Sequence, residues 1–279
     1  MAVFSRRNGY NKSFMKQGEA SETLKNRIYY TFYKREYVDD FIPDIGAENT
    51  KIEDMMIEMG RPYNFPKNNI IKQRNSDELE CYLIENSPWY SIYDFIEKYI
   101  DISNSKDSEI ISEKFNKILE QEGAAYRIVD GLVVPITNEM ELAAIEGAME
   151  TPYEAVNVHI VNALSLFSDR KSPDYKNTIK EAISAVESIC AIITNSEGSD
   201  SMLSKSIKRL KDKGIHIHPL LEQAIKSLYN YTCDESGIRH GGDKVIEIYP
   251  EDAKYMLVTC SAIVNYLIEK QAKVISKGE

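Results

Sequence analysis

The sequence predicts a mainly α-helical chain of two domains. Residues 1–150 form a mostly helical domain with one β-hairpin at 125–136, and residues 151–279 form an all-helical bundle. Three observations lead there. Apolar residues recur with a 3.6-residue period along most of the chain, the pattern of a helix with one buried face. One segment breaks that period: two β-rich runs, 125–129 and 132–136, flank Asp130-Gly131, the strongest short-range hairpin signal. After Thr151-Pro152 every apolar pattern is helical again, and about five helices with short loops fit a bundle.

The elements follow in chain order. Residues 1–18 read as an arm, with Gly9 and Gly18. Ser21 offers an N-cap to a helix whose face is Leu24, Ile28, Tyr29, Phe32 and Tyr33. Tyr29, Tyr30, Tyr33 and Tyr37 on that helix suit base stacking or plain packing. Pro-, Gly- and Asn-rich loops at 43–50 and 60–76 enclose a short helix at 51–59. A long helical pattern runs from Asp77 to Ile102, with Pro88 as a point of breakage. A helix at 107–121 precedes the hairpin, and one at 138–149 follows it. Pro152 suits a helix first turn, ahead of Val156, Ile160, Val161, Leu164 and Phe167. Further helices are expected at 174–194, 201–213, from Pro219, and at 250–274. The last is apolar nearly all round, which demands burial and points to a homodimer through the C-terminal bundle.

Composition limits the function classes. The hydrophobic share of 43% and charged share of 28% are globular values. Net charge is −10, and residues 1–151 hold most of it, with 18 Lys and Arg against 27 Asp and Glu. Such a chain is no general polyanion binder, so any nucleic-acid contact must be local. The local patch is Lys205, Lys208, Arg209, Lys211 and Lys213, read as an RNA-binding strip or a solvated helix face. The four cysteines form no CxxC and no disulfide framework. No secretory signal opens the chain, and the apolar run 255–268 is too short to span a bilayer. A cytoplasmic protein without membrane contact is expected. No P-loop, GxGxxG, HExxH or GxSxG motif occurs.

The segment 229–242 carries the chemistry. Arg239 and His240 are adjacent in a turn punctuated by Gly237, Gly241 and Gly242. Histidine exchanges protons near neutral pH, and arginine's planar fork suits phosphate. The pair reads as a phosphate clamp beside a proton carrier, or as a loop pair salt-bridged to Asp234 or Glu235. Glu187, at the edge of the Ile183–Cys190 stripe, is placed to hold Arg239, and Tyr231 to touch substrate. His216 and His218 flank the helix entry at Pro219, facing the basic helix or serving the helix start alone. His159 reads as structural. His-x-His without a further ligand is an incomplete zinc set, so neither metal nor cofactor is expected.

Taken together, 175–187, His218-Pro219-Leu220-Leu221, 228–232 and Gly237-Ile238-Arg239-His240-Gly241 resemble bacterial abortive-infection proteins. Their C-terminal domain is similar to HEPN, a nucleotide-binding helical bundle. Phe4-Ser5-Arg6-Arg7-Asn8-Gly9-Tyr10 and the hairpin 126–131 are similar to the N-terminal domain of AbiJ-type proteins. The resemblance implies a metal-independent endoribonuclease of phage defence or toxin type. It also implies a dimer whose paired Arg and His line a shared cleft, acting on RNA. In the common HEPN signature several residues separate Arg from His; here they adjoin. Arg209 and His216 have such a spacing, but at a helix-to-loop junction that does not match the family position. The alternative is a non-catalytic module that binds nucleotide, nucleic acid or a partner protein.

Overall fold

The computed structural model describes residues 15–34, 80, 83–84, 87–169, 172–196, 203–233, 238 and 247–278. The expected helix at 51–59 and the loops around it lie outside these residues. The described chain is mainly helical, with one antiparallel hairpin. It divides into two compact units, 1–137 and 138–279.

In the first unit, α1 (Glu22–Tyr33) packs on α2 (Ser91–Asp101) and α3 (Ser105–Gln121), and these two helices pack on the hairpin of β1 (Arg127–Val129) and β2 (Leu132–Val134). Ser21 caps α1 by accepting the Leu24 amide at 3.1 Å, and Asn104 caps α3 by accepting the Asp107 amide at 3.1 Å. The long pattern from Asp77 is interrupted at Pro88. The chain turns through 88–90, and α2 starts afresh at Ser91. Aromatic rings fill the core: Phe32 meets Phe95 and Tyr99 edge-on at 5.1 and 4.9 Å. The tyrosines of α1 divide: Tyr29 is buried and Tyr33 half-buried, while Tyr30 is exposed and its hydroxyl donates to Glu80. Tyr37 lies outside the described residues.

The hairpin turn has φ of 49° at Asp130 and 76° at Gly131. Both central residues are left-handed, the geometry that matches strand twist. Its register pairs Arg127 with Val134 and Val129 with Leu132. A two-stranded sheet leaves two open edges, and here side chains close both. The Asn116 amide donates to the Ile128 carbonyl at 2.8 Å and accepts the Ile128 N–H at 2.7 Å. Glu97 accepts the Val133 N–H at 2.7 Å.

The second unit holds α4 (Glu139–Met149), α5 (Glu154–Ser168), α6 (Tyr175–Thr194), α7 (Leu203–Arg209), α8 (Pro219–Cys233) and α9 (Pro250–Gly278). Its centre is α6, whose stripe of Ile179, Ile183, Val186, Ile189 and Cys190 is buried against α5 and α9. Asp174 caps α6 at the N-terminus, and Asn195 ends it with φ of 52°. α5 starts two residues beyond Pro152. Asn157 bonds both the N–H and the C=O of Thr151, at 3.0 and 2.8 Å, and this holds 151–153 as a turn. The basic helix is short: α7 tightens into a 3-10 turn, Leu210–Lys213, closed by Gly214 at φ 77°.

α4 belongs to this unit by contact. It packs along α9: Lys254 meets Glu141 at 3.0 Å, and the Asn265 amide donates to the Ala144 carbonyl at 2.9 Å. Gly147 makes that approach possible, since a Cβ there would lie 3.2 Å from Asn265 Nδ2. The apolar girth of α9 is thus covered within the chain by α4, α5 and α6. It gives no independent argument for a second copy.

Candidate functional site

Arg239, His240 and Glu235 lie outside the described residues. The elements on either side of them are described. α8 ends at Cys233, with Tyr229 and Thr232 turned into the core; the Thr232 hydroxyl donates to the Tyr229 carbonyl at 2.7 Å. Ile238, the residue before Arg239, is buried at 4% exposure. α9 opens at Pro250, and the Asp252 carboxylate reaches back to accept the Tyr249 N–H at 3.2 Å. Pro at the first position and an acid in the first turn are what a helix start favours.

Between the end of α8 and the start of α9 lies a cleft of about 240 Å³, lined by Leu228, Tyr231, Asp252, Tyr255 and Met256. Tyr231 is 44% exposed and Tyr255 60%. Partial burial, and then the Asp252 charge, raise the Tyr231 hydroxyl pKa above its ordinary value, so it stays a neutral donor near pH 7.

Glu187 is half-buried on α6. Burial, with Glu187 as a lesser cause, pushes the neighbouring Cys190 thiol up to about 12. Cys260 on α9 is pushed to about 12 by burial.

The basic strip divides into two kinds of residue. Lys205 and Lys208 are exposed. The Arg209 guanidinium instead donates to Ser196 at 3.2 Å, and Ser196 bonds Thr194 at 2.8 Å, tying α7 to the end of α6. Lys211 lies 3.5 Å from Glu222, which also pairs with Lys226. His216 and His218 are exposed, alternating with buried Ile215 and Ile217. The Lys270 ammonium donates to the His216 carbonyl at 3.2 Å, and His218 Nδ1 accepts the Leu220 N–H at 3.3 Å. His159 Nδ1 lies 2.8 Å from Glu181, an α5–α6 pairing consistent with a structural role. Among the described residues no three His, Cys, Asp or Glu side chains converge as a metal site.

Sequence reasoning reached Tyr231 but not Leu228, Asp252, Tyr255 or Met256 beside it. The available signal was spacing: Leu228 and Tyr231, and Asp252 and Tyr255, each stand three apart on a helix end.

The fold and its site residues define a helical protein of two units, the second bearing an aromatic cleft and a separate basic strip. The model of the family AbiJ N-terminal domain 4 matches residues 2–151. The chain belongs to that family and is an AbiJ-type protein of the abortive-infection class. No curated protein and no solved structure matches it. No helix among the described residues is long and apolar enough to cross a membrane.

Proposed function

We propose that this protein is a metal-independent endoribonuclease of phage defence, acting in the cytoplasm, with a HEPN-like second domain over 151–279. The family membership supports the defence role. The observation that carries the activity is the Arg239-His240 pair in the sequence between α8 and α9, directly after the buried Ile238. His240 takes the proton from a ribose 2′-hydroxyl or gives one to the leaving 5′-oxygen. Arg239 stabilises charge on the phosphorane-like transition state. Glu187 and Glu235 orient Arg239, and two copies join through the C-terminal bundle to form one cleft. Lys205, Lys208, His216 and His218 lead the RNA backbone toward it. The products carry 2′,3′-cyclic phosphates.

The test is cleavage of labelled RNA in EDTA. A positioned acid or base contributes about 10²–10⁴-fold, so His240→Ala should lose that factor and keep its melting temperature. Wild-type cleavage by His240→Ala would move the reading to a non-catalytic module binding nucleotide, nucleic acid or protein. The acidic first 151 residues, which repel long RNA, favour that second reading. A monomer by light scattering at micromolar concentration would remove the shared cleft.

A further inference from the structure

The cleft between α8 and α9 carries chemistry that the cleavage step does not use. Its floor is apolar, formed by half-buried Leu228 and buried Met256. Its walls are two exposed phenol rings, Tyr231 and Tyr255, from different helices. Among the described residues that line it there is no Lys, Arg or His, so none of them offers a phosphate a cationic partner. The one charged group among the described lining residues is Asp252. One carboxylate oxygen accepts the Tyr249 N–H, and among the described residues the other has no protein partner. Aromatic walls accept the flat face of any base. A carboxylate at their edge selects the base that offers adjacent N–H donors. Guanine does so through N1–H and the N2 amino group. Adenine instead turns a lone pair toward the same oxygen.

We infer that the cleft of Leu228, Tyr231, Asp252, Tyr255 and Met256 is a nucleobase subsite that prefers guanine in single-stranded RNA. This deepens the ribonuclease reading and rests on it in one respect, that the ligand is RNA. Tyr231 stands eight residues before Arg239 and Asp252 twelve after His240, so the base-holding cleft flanks the segment proposed to cut. The subsite fixes which nucleotide enters; the Arg-His pair cleaves.

The experiment reads binding apart from cleavage. Fluorescein-labelled 2′-O-methyl hexanucleotides lack the attacking hydroxyl, and their affinity for the full chain is measured by anisotropy. A bidentate edge contact is worth about 1–3 kcal/mol of discrimination. On an exposed carboxylate the low end applies, so G-rich oligomers should bind about fivefold tighter than A-rich ones. Tyr231→Ala and Tyr255→Ala should each weaken the G-rich oligomer about tenfold. Asp252→Asn keeps an acceptor for the Tyr249 N–H, so α9 stays capped, but it adds a donor. Its preference should move from guanine to adenine. Equal affinity for all bases, with all three variants unchanged, overturns the inference and leaves the ribonuclease reading standing if RNA is still cut in a His240-dependent way. Binding with the predicted preference but no cleavage of unmodified RNA sustains the subsite and sinks the catalytic reading. If Tyr231→Ala and Tyr255→Ala change the oligomeric state or the binding of an arginine-rich peptide and leave oligonucleotide affinity alone, the cleft belongs to a protein surface and the inference fails.

Discussion

Glu222 draws two lysines onto one carboxylate. It sits in the first turn of α8, nearly buried, with Lys226 a helical turn away and Lys211 on the 3-10 turn. The Lys226 hydrogen bond is the main reason its pKa lies below the ordinary carboxylate value; burial opposes and is outweighed. A depressed folded pKa means stability that is present above about pH 4.3 and lost as pH falls through the folded value. Glu222→Gln should cost about 1–2 kcal/mol at pH 7, and its melting curve should approach that of the wild type in acid. A constant difference from pH 7 to pH 3 would show that charge is not the cause. The neighbouring strip separates in the same way. Lys208→Glu should weaken RNA binding and reduce the salt slope by about 0.7 for each phosphate it no longer neutralises, with no change in melting. Arg209→Ala should lower the melting temperature, because its guanidinium holds Ser196. These basic residues are plain in the sequence, but their division of labour is not. Spacing shows that Arg209 adjoins Lys208; only folding brings it to a serine thirteen positions earlier.

At the scale of the element, the hairpin was the most legible part of the chain. Asp130-Gly131 forced a two-residue turn, and the structure has positive φ at both positions. What closes its edges was not legible, because Asn116 lies in the middle of a helical pattern, where asparagine usually means only solvent exposure. Its side chain acts as a third strand of one residue, giving one donor and one acceptor to Ile128. Asn116→Ala strands a backbone N–H and a C=O on a buried residue. It should cost about 2–3 kcal/mol and speed amide exchange at Ile128 more than at Val133, which Glu97 still holds. Equal acceleration at both amides would mean that the hairpin opens as one piece. The cleft failed to show in the sequence for a related reason. Tyr231 and Asp252 are 21 positions apart, and the direction in which α9 returns past α8 is set by packing of apolar faces, not by any local motif.

At the scale of the whole molecule, two boundaries differ. The family match ends at residue 151, where Thr151-Pro152 also suggested a domain edge, yet the compact units part between 137 and 138. Proline marks where a helix cannot continue, which is a statement about backbone and not about packing. α4 therefore belongs to the family's sequence unit and to the second unit's core. A fragment of 138–279 should melt cooperatively. A fragment of 152–279 should lose Glu141 and Ala144 as partners of α9, expose its apolar side, and bind a hydrophobic dye or aggregate. Cooperative melting of both fragments at one temperature would show that α4 adds nothing.

The two thiols on α6 and α9 give the molecule a clock. Cys190 and Cys260 are fully buried, and their pKa near 12 leaves almost no thiolate at neutral pH. With Cys81 and Cys233 replaced by serine, a thiol reagent has only these two targets, and each becomes reachable when α6 and α9 separate. The labelling half-time then times how often the bundle breathes. A guanine-rich oligonucleotide seated against α8 and α9 should slow it in proportion to occupancy, without any label near the cleft itself.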